Sequence, residues 1–65
     1  RRSPLDMFNR SQRNFIEYRE NNCRWQYLAN SPSSEAASIY KMCYIFLSKN
    51  RIKELSLQKP IAMAN

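Results

Sequence analysis

Apolar residues recur along the first third of the chain at helical spacing. At about 100° per residue, Leu5, Ile16 and Cys23 fall on one line. Met7, Phe8, Phe15 and Tyr18 widen that line to about half of the helical wheel. The opposite side carries Asn9, Arg10, Arg13, Asn14, Glu17 and Glu20. Ser3 before Pro4, with Asp6 three residues after the serine, reads as an N-cap, a first-turn proline and the acid of a capping box. The pattern predicts a helix over residues 4–21, ending where Asn21 and Asn22 can leave the right-handed helical region. Asp6–Arg10 and Arg13–Glu17 are spaced to pair along its surface, and Glu20–Arg24 would continue the row.

Cys23 to Ala29 alternates on Cys23, Trp25 and Tyr27, yet Trp25, Leu28 and Ala29 also fit helical spacing. A lone strand would have nothing to pair with, so a short second helix over 23–29 is expected. Asn30-Ser31-Pro32-Ser33-Ser34-Glu35 repeats the start signal, and a third helix is expected over 32–50, with Lys49 and Arg51 complementing its C-terminal dipole. Ile52 to Leu57 adds one or two turns over 52–58 that Pro60 stops, and Ile61 to Asn65 reads as a frayed end. The expected fold is thus all-α: a small three-helix bundle with a short C-terminal helical turn. It is a single domain over 1–65, with 1–2 and 59–65 as flexible ends. A chain of this length buries only about 60% of its unfolded surface and is marginal without a staple. Most of its eight aromatic residues are therefore expected in the core, with Trp25 wedged between the first and third helices.

The third helix is more apolar than a small bundle requires. Ala36, Ala37, Ile39, Tyr40, Met42, Cys43, Tyr44, Phe46 and Leu47 cover roughly 220° of the wheel, where a core-facing stripe needs little more than about 100°. Part of that surface calls for another chain, either an amphipathic helix or a second copy of this domain. The expected contact surface is Met42, Ile45, Phe46 and Lys49, with Tyr44 on the other flank.

Composition removes most chemistry. The chain has no His and no Gly, which excludes the commonest general base and metal ligand and the usual phosphate-cradling loops. Its carboxylates, Asp6, Glu17, Glu20, Glu35 and Glu54, lie in polar contexts. No catalysis, cofactor, metal or small-molecule substrate is expected. Cys23 and Cys43 could form one disulfide, but secreted scaffolds of this size usually carry four or more cysteines. Both fall on apolar helical faces, and the pair reads as buried thiols of an intracellular protein. Ser3-Pro4 and Ser31-Pro32 are explained as helix caps without phosphorylation. No run is long and apolar enough for a membrane span or a signal peptide, so no membrane partner is expected. The opening Arg1-Arg2-Ser3 reads as that of an excised or processed domain.

The formal net charge is +6, but from Ser3 to Ser48 five bases face four acids. Most of the surplus sits at the two ends. A small basic domain binding DNA or RNA is the alternative reading, with Arg1, Arg2, Arg10, Arg13, Lys49, Arg51 and Lys53 as phosphate or acidic-partner contacts. The self-neutralising row on the first helix argues against a groove-reading face. The favoured reading is a non-catalytic protein-docking module that takes an acidic protein partner, in an intracellular and preferentially nuclear setting.

Overall fold

The computed structural model describes residues 3–58, which form two helices, α1 (Pro4–Asn30) and α2 (Ala36–Leu57). They pack side by side as an antiparallel hairpin with extents of 49 × 25 × 9 Å, a plate one helix thick. The expectation of an all-helical chain stands, but the three-helix bundle does not. Residues 4–21 and 23–29 are one continuous helix, and the turn expected over 52–58 is the last part of α2. Arg1, Arg2, Lys59, Pro60 and the stretch 61–65 lie outside the described residues, and with them the expected flexible ends.

The start of α1 follows its local chemistry. The Asp6 N–H donates to Ser3 Oγ at 3.1 Å, the Ser3 N–H donates back to Asp6 Oδ2 at 3.4 Å, and Pro4 occupies the first turn. This use of the Asp6 carboxylate takes it away from Arg10. Among the described residues the ion pairs are Glu20–Arg24 and Arg51–Glu54, not the expected Asp6–Arg10 or Arg13–Glu17.

No break occurs at Asn21–Asn22 because Asn22 is occupied as a helical residue. Its Oδ1 accepts from Trp25 Nε1 at 3.2 Å, and its Nδ2 lies 3.6 Å from Cys43 Sγ across the hairpin. The helix stops instead before Pro32, whose ring drives Ser31 to extended backbone (φ −75°, ψ 145°). The Ser31–Pro32 peptide is cis. Ser31 Oγ donates to the Tyr27 carbonyl at 3.1 Å and Asn30 Nδ2 to the Gln26 carbonyl at 2.7 Å, closing the helix end. Pro32 to Glu35 form the turn, in which Ser33 Oγ accepts from the Glu35 N–H at 3.1 Å. The second helix therefore begins at Ala36 and not at Pro32, and it runs on past Asn50 to Leu57. Lys49 and Arg51 thus lie inside α2, away from its C-terminal end.

Cys23 and Cys43 form a disulfide with Cα atoms 5.5 Å apart, which overturns the expectation of free thiols. Around it the seam is mostly polar. Arg51 donates to Gln12 Oε1 at 3.0 and 3.2 Å and to Ser11 Oγ at 3.1 Å. Arg19 Nη1 donates to Ser48 Oγ at 3.1 Å, and the Arg19 guanidinium lies 4.0 Å from the Tyr44 ring centroid and 5.2 Å from that of Phe15. Gln26 Nε2 sits 3.4 Å from Cys43 Sγ, and the Tyr27 and Tyr40 rings meet edge to face at 6.2 Å.

A single layer cannot enclose a core, because stable domains stack at least two. Among the described hydrophobic residues only Cys23 and Ala36 are buried. Trp25 is 60% exposed instead of wedged between helices, and Phe8, Tyr18 and Phe46 are exposed as well. The hairpin is held by one covalent bond and a ladder of polar and cation–π rungs, and it keeps most of its large apolar side chains in water.

Candidate functional site

The site begins with the surplus of α2. Positions 42, 45, 46, 49 and 53 are three, four, seven or eight apart for most pairs, so they fall on one side of a helix. Met42 is 69% exposed, Phe46 64% and Ile45 46%, and Lys49 and Lys53 are exposed beside them. Four of the residues expected to contact a partner, Met42, Ile45, Phe46 and Lys49, are therefore contiguous. Tyr44, the fifth, is turned the other way: its ring underlies Arg19 and stacks on Tyr40 with centroids 6.5 Å apart. It braces the seam. The outer face of α2 is apolar over its first half and cationic over its second, and no acid interrupts it between Ile39 and Leu57, since Glu54 is drawn to Arg51.

The residues expected as phosphate contacts do not converge on one surface. Arg10 and Arg13 line a shallow groove on α1 with Asp6 and Asn9, which supplies its own acid. Arg51 is committed to the seam, with Nη1 2.6 Å from Glu54 and only 10% of its side chain exposed. Arg1 and Arg2 lie outside the described residues. Lys49 and Lys53 are left as the pair on the open face of α2.

A second cluster braces the hairpin near its turn. Tyr40 donates its hydroxyl to Glu20 Oε2 at 2.6 Å, while Arg24 Nη2 donates to Glu20 Oε1 at 2.8 Å. The Tyr40 hydroxyl and then Arg24 hold the Glu20 carboxyl below the ordinary glutamate value. The same hydrogen bond, with burial, raises Tyr40 above the ordinary phenol value. The linkage signs follow. The depressed Glu20 contributes stability that is present above about pH 4.3 and is lost as pH falls through its lower folded value. The raised Tyr40 contributes stability that is present below about pH 10 and is lost as pH rises beyond it. Tyr40→Phe removes only the hydroxyl. It is expected to lower the thermal midpoint slightly and to move the acid unfolding midpoint up in pH, as followed by far-UV circular dichroism; an unchanged acid limb would show that this bond carries no stability.

The polar seam and the disulfide were not apparent from apolar periodicity. Gln12, Arg19 and Gln26 recur every seven residues on one line of α1, the spacing of a helix–helix contact, but polar residues in such positions read as solvent-facing. Among the described residues no helix is long and apolar enough to cross a membrane.

Comparison with known families gives one result. The model of the family described as Lysozyme inhibitor LprI matches residues 1–55. No curated protein and no solved structure shows significant similarity. The match corrects the expected location: proteins of this family are bacterial periplasmic or extracellular inhibitors, which conflicts with an intracellular or nuclear setting. The Cys23–Cys43 disulfide agrees with that location, since disulfides persist in oxidising compartments. The family is one of protein-binding inhibitors, and it lends no support to the nucleic-acid alternative. With 55 of its 65 residues matched, the chain belongs to the LprI lysozyme inhibitor family.

Proposed function

We propose that this chain is a non-catalytic inhibitor that binds a lysozyme, with the outer face of α2 as its contact surface. The observation that carries the reading is the family match over residues 1–55. The disulfide-closed hairpin supports it, because it presents Met42, Ile45 and Phe46 in water on a braced element. A contact of this kind draws its affinity from a few apolar anchors, with charge at the edge steering encounter.

The test is a cell-wall lysis assay with the oxidised chain titrated against a fixed amount of lysozyme, beside sedimentation of the chain alone at two concentrations. The expected result is saturable inhibition at a one-to-one ratio by a chain whose mass does not change with concentration. Undiminished lysis at excess chain contradicts the reading. Self-association that buries Met42 and Phe46 would assign the face to a second copy instead.

A further inference from the structure

Lysozymes and most other glycosidases work with a pair of carboxyl groups flanking the scissile bond, about 5–5.5 Å apart in retaining enzymes. An inhibitor that occludes such a cleft meets two acidic groups in a concave, partly desolvated site, where a matching cationic pair gains most. Among the described residues few cations are available for that. Arg19 and Arg51 are held in the seam, Arg24 is paired with Glu20, and Arg10 and Arg13 are flanked on their own helix face by Asp6 and Glu17. Lys41 stands alone among Ala37, Ser38 and Ile45. Lys49 and Lys53 differ from all of these. They are exposed, four residues apart on one helix, and their helical neighbours Ile45, Phe46, Asn50, Ile52, Ser56 and Leu57 include no acid.

Four residues of α-helix rise about 6 Å, close to the carboxyl separation, and lysine stems are flexible enough to close the difference. Like charges at this spacing disfavour the helix that carries them, so the pair is not explained by the stability of α2. Phe46 and Met42 continue the same stripe one and two turns from Lys49 toward the N-terminus of α2, and both are exposed.

We propose that Lys49 and Lys53 are the cationic pair that enters the cleft of a lysozyme and engages its two catalytic carboxylates, with Met42 and Phe46 seated on the rim. This rests on the lysozyme reading above and specifies how that reading is achieved.

A double-mutant cycle separates the two claims. One axis is the oxidised chain against its Lys49→Gln, Lys53→Gln variant, which removes both charges while keeping both side chains polar. The other is a native lysozyme against the same enzyme with both catalytic carboxylates changed to amides. Binding is measured by calorimetry, so that the readout does not depend on lytic activity. The expected result is a loss of affinity of about 10- to 100-fold when either side is changed, and little further loss when both are. Independent, additive losses, or a glutamine variant that binds like the native chain, would overturn the lysine assignment while leaving the lysozyme reading in place. Failure of the unaltered chain to bind the native enzyme would overturn both. Circular dichroism of the glutamine variant is expected to match the native chain, since both side chains lie outside the seam.

Discussion

Reduction of the Cys23–Cys43 bond is expected to dissolve the hairpin. The disulfide closes a segment with a sequence separation of 20. Constraining a loop of that size in the unfolded chain is worth about 3 kcal/mol, a large share of what a small domain has to spend. Little else in this molecule could replace it. Among the described hydrophobic residues only Cys23 and Ala36 are buried, and the rungs on either side are hydrogen bonds and cation–π contacts. Each such contact contributes about 1 kcal/mol net.

The reduced chain and the Cys23→Ser, Cys43→Ser variant should therefore behave alike. Each loses the near-ultraviolet signal of Tyr27, Tyr40 and Tyr44, loses hydrogen-exchange protection across the seam, and melts without a cooperative transition. Residual far-ultraviolet helicity from α1 would not count against this, because a capped helix of 27 residues can persist partly on its own. A cooperative melt unchanged by reductant would contradict the account, and the polar ladder would then be the principal restraint. Inhibition should be lost together with the fold.

The second large effect concerns the open face of α2. Truncating Met42 and Phe46 together to Ala is expected to weaken lysozyme inhibition by at least about 100-fold, since large apolar anchors that pack against a partner contribute about 2 kcal/mol or more each. The fold should be untouched. At 69% and 64% exposed, neither side chain packs within the hairpin. The change leaves the net charge as it is, so the contribution of the lysines is preserved. Met7→Ala provides the comparison: it removes a similarly accessible apolar group (48% exposed) from α1 and should alter inhibition by less than about twofold. Equal inhibition by the double variant would move the contact surface off this face, and a strong effect of Met7→Ala would place it on α1.

What could be read from the residues was set by whether the controlling contact was local. The start of α1 was legible because Ser3, Pro4 and Asp6 satisfy one another within a single turn. The end of α1 was missed by nine residues because the Asn pair that looked like a break spends Asn22 on Trp25 and on the facing helix, 21 residues away in sequence. Pro32 fits the first turn of a helix by its local sequence, whereas in the fold it ends the preceding one; the same dipeptide serves either role until the neighbouring helix is placed.

The aromatic residues misled for a related reason. Large rings fill a core only where a second layer exists to enclose them, and counting three helices supplied a layer that the chain does not have. The excess apolar character of α2 was legible, and it marks the face proposed for the partner. The cysteine pairing was not, because two cysteines on two apolar stripes are compatible with both thiols and a bridge. Only the antiparallel register brings their Cα atoms to 5.5 Å.

The central claim is that lysozyme seats on the outer face of α2 and nowhere else on the hairpin. Methyl chemical shifts of the oxidised chain, followed while unlabelled lysozyme is added, test it within one molecule. Met42 and Ile45 report on α2, and Met7 and Ile16 on α1, all four at least 46% exposed. The account predicts that the Met42 and Ile45 methyls shift and saturate at one equivalent, while those of Met7 and Ile16 stay in place. Saturating shifts at Met7 and Ile16, with Met42 and Ile45 unmoved, would contradict it.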